Sequence, residues 1–336
     1  MPRDSRVLRL LGHVARRLAW AAWVVVGATA VSVLLTRLLP GDPARLLAGP
    51  RAPAAEVDRT RALYGLDRPL GVQLSRAAKR LVHLPQTDGE HRTCSRLGGL
   101  HVDLGFSVFH RRPVAELLAA RAPRSFELAA AAIALQALFG LAVGVAGALR
   151  PRSWVDRLGG ATTLALLAAP TFVVGLGLQL WFAHRSHVLP IDGDGGGADH
   201  LAHLVLPALT LGLYGAGMVA RLVREQAHDA LESNVFRAAR ARGASRWRAA
   251  ATALRAGLVP VITLLGLELG TLAGGAMVTE AVFRWPGLGK LTVDALHNRD
   301  APLVLATVAL GGALVAASTL LVDAVAWLLD PRRRRP

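Results

Sequence analysis

Six long, nearly uncharged apolar runs punctuate the chain, at residues 18–36, 128–149, 158–183, 201–220, 256–279 and 302–322. A helix rises ~1.5 Å per residue, so ~20 residues cross a ~30 Å hydrocarbon core, and each run is near or above that length. The pattern predicts an all-α integral membrane protein with six transmembrane helices. Glycine and proline inside the runs do not oppose this, because neighbouring helices in a bilayer can satisfy the freed backbone groups. The first run follows a basic N-terminus as a signal peptide would, yet it outlasts the usual apolar core of one. No A-x-A cleavage site closes it before Arg37. It reads as a span.

The polar remainder sets the organisation. A tail occupies 1–17, a long segment 37–127, a basic loop 221–255, a shorter loop 280–301 and a second tail 323–336. Six spans put both termini on one side of the membrane. Arg3, Arg6, Arg9, Arg16 and Arg17 precede the first span, and Arg150, Arg152 and Arg157 follow the second. Arginines recur through 221–255, and Arg332 to Arg335 end the chain. The short loops of the other set hold only Arg185 and then Arg284, Lys290 and Arg299. Cytoplasmic loops carry the Lys/Arg excess, so both termini and the 221–255 loop are expected in the cytoplasm and 37–127 outside.

That external segment has its own pattern. "APAAEVDRTRALYGLDRPLGVQLSRAAKRLVH" predicts two short helices separated at Gly65, the second beginning at Pro69. Leu70, Leu74, Ala77 and Leu81 share one face of the second and Arg76, Lys79 and Arg80 another, an amphipathic arrangement suited to a membrane surface. "PQTDGEHRTCSRLGG" reads as loop, and Pro113 starts a helix leading into the second span.

Composition changes this picture little. The chain has 336 residues, is 53% hydrophobic and carries a formal charge of +16. So basic a protein could bind nucleic acid, but the charges lie between apolar runs instead of covering one soluble face, so no nucleic-acid partner is expected. The lipid bilayer is the expected environment. Cys94 is the only cysteine, which excludes an intramolecular disulfide and a cysteine metal cluster.

The basic loop carries the sharpest local signals. In "RLVREQAHDALESNVFRAARARGASRWRAAATALR" Ser233 or Asn234 can cap a helix N-terminus, Gly243 can end it in the left-handed conformation, and Ser245 can cap the next. A helix of about two turns results, set between extensions of the fourth and fifth spans. A merely basic juxtamembrane loop binding anionic headgroups needs no such breaks.

These residues carry a family resemblance. "SNVFRAARARGASRWRAAATALRAGLVPVIT" resembles the cytoplasmic signature of the membrane subunits of bacterial ABC importers, in the dipeptide/oligopeptide/nickel permease family. "LLPGDPARLLAGPRA", "YGLDRPL", "HLVLPALTLGL", "EAVFRWPGLGKL" and "VDAVAWLLDPRRR" are similar to it in the same order. Their detail favours the first of the two permease subunits of such systems. The broad importer motif has Glu-Ala-Ala where this chain has Arg237, Ala238 and Ala239, as the peptide branch commonly does. That branch usually places an aromatic at the position of Val235, whereas here Phe236 follows one residue later. Residues between His83 and His101 look inserted.

The resemblance implies a type I ABC importer permease fold in a bacterial inner (plasma) membrane, transporting short peptides, with nickel, opines, sugars or glutathione as alternatives. It implies a homologous second permease subunit, two cytoplasmic ATPase subunits and an external solute-binding protein as partners. The short helix becomes a coupling helix docking on an ATPase, with Val235, Phe236, Arg237, Ala238, Ala239, Arg240, Arg242 and Gly243 as its contact residues. ATP and Mg belong to the ATPases. This chain binds no cofactor of its own and is not an enzyme. Transport then proceeds by alternating access between two states.

Other features take more than one reading. "RWPGLGKL" approaches a P-loop, but Arg284 stands where the first Gly belongs and Leu291 where Ser or Thr belongs, so it reads as a loop turn. Gly266, Gly270 and Gly274 form a small-residue stripe suited to close helix packing, and Glu268 lies on the opposite face. An intramembrane carboxylate marks a substrate path, or a protonated Glu bonded to another helix. His184, His187, His200 and His203 near Asp192, Asp194 and Asp199 fit a solvated loop as well as a metal relay, and no metal site is expected. A proton-coupled transporter using Glu268, or a membrane scaffold, are the rival classes. The first predicts inverted repeats, which the chain does not display.

Overall fold

The computed structural model describes residues 23, 27, 44, 45, 52–64, 67, 69, 72, 95–97, 100–102, 104–107, 109–149, 151–298 and 300–329. The N-tail, the expected first span apart from Trp23 and Gly27, the amphipathic helix beyond Pro69 apart from Val72, Cys94 and the end of the C-tail lie outside them. In chain order the elements are helix α1 (Ala54–Tyr64), strands β1 (Ser95–Leu97), β2 (Leu100–Val102), β3 (Phe106–Ser107) and β4 (Arg112–Pro113), and helices α2 (Val114–Leu149), α3 (Trp154–Ala168) and α4 (Thr171–Leu178). A π-helical turn (Gln179–Arg185) and a 3-10 turn (Gly197–Asp199) follow. Then come α5 (His200–Glu232), α6 (Asn234–Ala241), α7 (Arg246–Ala273), α8 (Met277–Val282), α9 (Leu288–His297) and α10 (Ala301–Leu329).

Mostly helical, the chain departs from the all-α expectation at two short antiparallel hairpins. Strand β1 pairs with β2, Arg96 opposite His101, and β3 with β4, Ser107 opposite Arg112. Part of the expected 85–99 loop is thus strand. Two glycines separate β1 from β2 in the sequence, a composition that favours tight hairpins over loops.

Among the described residues, α2, α5 and residues 302–326 of α10 are each long and apolar enough to cross a membrane. Two bent pairs bring the candidates to five. The expected third span at 158–183 is one of these pairs, turning through 105° between α3 and α4. Ala169 is extended (φ −80°, ψ 128°), as a residue before proline prefers, and Pro170 has no N–H to continue the ladder. The expected fifth span at 256–279 also divides. Helix α7 stops at Ala273, Gly275 turns at φ +118°, and α8 begins at Met277.

The chain forms two compact units, Met1–Ala122 with Leu291–Ala313 and Pro123–Lys290 with Leu314–Pro336. In the first, Gly105 (φ +84°) turns the chain beneath α2, its carbonyl accepting from Val114 N at 3.1 Å. Buried Ser107 donates to Asp300 Oδ2 at 2.5 Å, and Asp300 Oδ1 accepts Leu303 N in the first turn of α10.

In the second unit α5 is the central element, packed against α3, α4, α6 and α7. Leu128 and Ala132 of α2, Ala208 and Leu211 of α5 and the fully buried Trp285 form one core. Val219, Val223 and Val261 form another. At the start of α3, Asp156 holds Arg224 of α5, with Nε 2.6 Å from Oδ1 and Nη2 2.8 Å from Oδ2.

Candidate functional site

The basic loop folds as its caps require. At the end of α5, Ser233 is extended (φ −66°, ψ 153°) and its Oγ accepts Phe236 N at 3.2 Å. Helix α6 then runs for eight residues. Gly243 ends it at φ +83°, donating to Arg240 O at 3.0 Å, while Ala244 N donates to Ala239 O at 3.1 Å. These bonds satisfy the last carbonyls, as a left-handed C-terminal glycine does. Ser245 caps α7 by accepting Arg248 N at 3.4 Å.

The short helix therefore stands between two long ones with both ends fixed. Ala239 is buried beneath it, while Val235, Arg237, Ala238, Arg240 and Arg242 are exposed and Phe236 is half-buried. Arg240 turns back to donate to Ala244 O at 2.8 Å. Val235, 44% exposed, is thus the large apolar side chain offered outward, and Phe236 the more covered of the pair. Sequence reasoning missed Trp247, 70% exposed two residues beyond Ser245. An indole among arginines in a polar loop was the available signal.

In α7, Gly266 faces Val322 and Gly270 faces Ser318 of α10 so closely that a Cβ on either glycine would overlap the neighbour's side chain. Gly274 instead caps the helix, its N–H bonded to Gly270 O at 3.0 Å. Glu268 points elsewhere. Gln136 Nε2 of α2 donates to Glu268 Oε2 and to Leu211 O, each at 3.3 Å. Gly215 of α5 lets the Gln136 amide lie against its backbone. Gln136 is 1% exposed, and its Oε1 has no partner among the described residues.

A second buried carboxylate organises the segment read from the sequence as a loop turn. Glu280 of α8 is fully buried, with Oε1 accepting Ser125 Oγ at 2.8 Å and Oε2 accepting Lys290 N at 2.9 Å. Ser125 Oγ in turn accepts Leu288 N at 2.7 Å. The first turn of α9 is thus capped by a side chain from α8 and one from α2, while Trp285 Nε1 donates to Arg124 O at 2.9 Å. Gly287 has to be glycine, because a Cβ there would strike the Glu280 carboxyl. The place where a P-loop would hold phosphate is filled by the protein's own carboxylate. Neither Glu280 nor Ser125 stands out by spacing; only a carboxylate ending an apolar run before a Pro-Gly turn hinted at it.

Burial pushes the Glu280 pKa above its ordinary 4.5, against the lowering effect of its hydrogen bonds from Lys290 N, Ser125 and Gly289 N. The folded protein therefore holds this proton more tightly than the unfolded chain does. The stability it contributes is fully present below 4.5 and is lost as pH rises through the folded value. Melting temperature in detergent should fall as pH rises above about 4.5, the ordinary carboxyl value. Glu280→Gln should flatten that slope, and an equal slope in the variant would remove Glu280 as its source.

The histidines separate. His200 Nε2 lies 2.6 Å from Glu127 Oε1 and Nδ1 2.6 Å from Asp194 O, with its ring 5.3 Å from that of Trp285. Arg124 joins Glu127 at 3.2 Å and Asp194 at 3.6 Å. His203 Nδ1 contacts Asp192 O at 2.7 Å. His184 and His187 are exposed, the latter at φ +51°. Asp194, Asp192 and the two buried-side histidines thus fasten the 186–199 loop to α5, and among the described residues no three potential ligands converge on a metal position.

Residues 137–335 match the family model described as the binding-protein-dependent transport system inner membrane component. Over 326 residues the chain is 36% identical to the glutathione transport system permease protein GsiC of Salmonella paratyphi A, covering 97% of this chain and 99% of that one. The Escherichia coli protein of the same name is 34% identical over the same length. Among solved structures, an inward-facing conformation of the MetNI methionine ABC transporter matches with a TM-score of 0.50 at 19% identity, over 65% of this chain and 98% of that one. That likeness concerns the fold. The family match covers more than half the chain, including the capped helix α6, the Glu268 helix and the Glu280 segment, so this chain belongs to the binding-protein-dependent inner-membrane components and is the permease subunit of an ABC importer.

Proposed function

We propose that the chain forms half of a translocation path for short peptides, with a glutathione-type tripeptide as the first substrate to test. The near full-length similarity to permeases named for glutathione supports this choice. Helix α6 is the coupling helix, docked on one of two ATPase subunits that supply ATP hydrolysis in trans. A homologous second permease and an external solute-binding protein complete the transporter. The arginine distribution supports six spans with both termini in the cytoplasm and 37–127 outside. ATP-driven closure of the ATPases moves the paired coupling helices together and turns the cavity outward, and hydrolysis returns it.

The observation that carries this reading is helix α6 itself, stopped at both ends by Ser233 and Gly243 and presenting Val235 and arginines outward. A scaffold needs no such element. The test is uptake of labelled glutathione, dipeptides and nickel by the complex reconstituted in liposomes, with and without the ATPases. Uptake of a peptide that requires ATP and the binding protein is expected. Uptake by the permeases alone would instead favour a proton-coupled carrier.

Glu268 lines the substrate path in this reading, beside Gln136 with its spare carbonyl oxygen. Its carboxylate favours the ammonium group of a peptide. A charge-assisted hydrogen bond is worth ~1.5 kcal/mol, roughly tenfold in transport efficiency. Glu268→Gln should reduce uptake of free-amino peptides by about that factor relative to their N-acetylated forms. An unchanged ratio, with normal assembly, leaves the side chain only its bond to Gln136.

A further inference from the structure

A cavity of about 430 Å³ opens between α2, α3 and α5, within the size range of ligand pockets. Phe139, Val143, Trp154, Leu158, Thr162 and Leu213 are among the residues that line it, and its walls are almost wholly apolar. It is unrelated to the Glu268 pair, to α6 and to the Glu280 segment. Trp154, 74% exposed, opens α3, and Arg152 and Arg157 flank it in sequence, both exposed. Arg224 is held by Asp156 and Arg221 by Glu225 at 3.2 Å. The guanidinium groups of Arg152 and Arg157 have no carboxylate partner among the described residues.

Arg152 also sits at φ +63°, a conformation that suits glycine or asparagine better than arginine. A strained residue two positions before the cavity-lining Trp154, its guanidinium without a carboxylate partner among the described residues, is a candidate for function. The arrangement combines an apolar slot between helices, an exposed indole on its lining, and two exposed arginines that flank the lining Trp154 and Leu158 in sequence and have no carboxylate partner among the described residues. That is the complement of an anionic phospholipid: acyl chain in the slot, phosphate on the guanidiniums. We propose that this cavity is a binding site for an anionic phospholipid of the inner leaflet. The choice of leaflet rests on the reading above that residues 150–157 face the cytoplasm.

The test uses the assembled transporter in phosphatidylcholine nanodiscs containing a trace of phosphatidylglycerol with a photoactivatable acyl chain. Adducts are expected on residues 139–146, 154–163 and 213–220. Unlabelled phosphatidylglycerol should compete roughly thirtyfold better than phosphatidylcholine, the factor that ~1 kcal/mol from each of two interfacial arginines represents. Ala142→Trp, on the exposed wall of the cavity, should abolish the adducts. Arg152→Gln with Arg157→Gln should keep them and bring the two lipids to parity. Parity in the unmodified protein would mean ordinary boundary lipid, and absence of adducts would mean that the second permease covers this face; either overturns the proposal. Ser153→Cys with Cys94→Ser reports the side separately, since its reaction with an impermeant thiol reagent only from outside would sink the topology and the leaflet while the adducts still read the cavity.

Discussion

Replacing Gly243 with valine should leave the helices inserted in the membrane while uncoupling ATP hydrolysis from uptake. At φ +83° a β-branched residue costs ~1–2 kcal/mol, and the chain can relieve it only by changing its exit from α6. No atom lies within 4 Å of where a Cβ would stand, so the cost comes from the backbone and not from a clash. That separation supplies a control. Gly243→Asn, which tolerates the left-handed region, should keep co-purification with the ATPases and binding-protein-stimulated hydrolysis near the unmodified level. Gly243→Val should lower both by roughly tenfold, the factor that ~1.4 kcal/mol represents. Val235→Ala should act in the same direction, since Val235 is the apolar side chain presented outward. Arg240→Ala and Arg242→Ala should do less, because exposed ion pairs are worth ~0–1 kcal/mol. If valine and asparagine at 243 behave alike, α6 does not transmit motion.

The largest stability effect is expected at Glu280→Ala. The substitution removes the acceptor of the buried Ser125 Oγ–H and of the part-buried Lys290 N–H, and each lost bond costs ~1–3 kcal/mol. The cavity left behind adds to this. A total of ~3 kcal/mol corresponds to about 6–12 °C in melting temperature for a body of this size. Glu280→Gln preserves the shape and one acceptor oxygen, so it should retain most of the stability. Thermal aggregation of the detergent-purified protein measures the difference. An alanine variant that melts with the unmodified protein would show that α9 holds its start without the carboxylate.

The sequence made some of this legible and hid the rest for identifiable reasons. Apolar length reports membrane crossing directly, so the runs at 128–149, 201–220 and 302–322 fall within the long helices α2, α5 and α10. Caps are equally local, and Ser233, Gly243 and Ser245 stand where their chemistry put them. The turn at Ala169–Pro170 was hidden because proline inside a bilayer run is ordinarily harmless, so its presence does not distinguish a kink from a break. Val235 and Phe236 differ by one residue, or ~100° of rotation, and only packing decides which is covered. Glu280 was invisible for another reason. Its partner Ser125 is 155 residues away, and no periodicity encodes such a pairing.

The contact of Gly266 and Gly270 with Val322 and Ser318 bears on how this protein can diverge. With no space for a Cβ on one helix, the opposing positions cannot drift independently: a larger residue at 270 is admissible only after position 318 has shrunk. The two helices therefore exchange volume in a fixed order, and intermediates taken in the wrong order lose the interface. Homologues should accordingly show paired changes at 266 with 322 and at 270 with 318, leaving in the historical record of substitutions a trace of helix contact that no single sequence can carry.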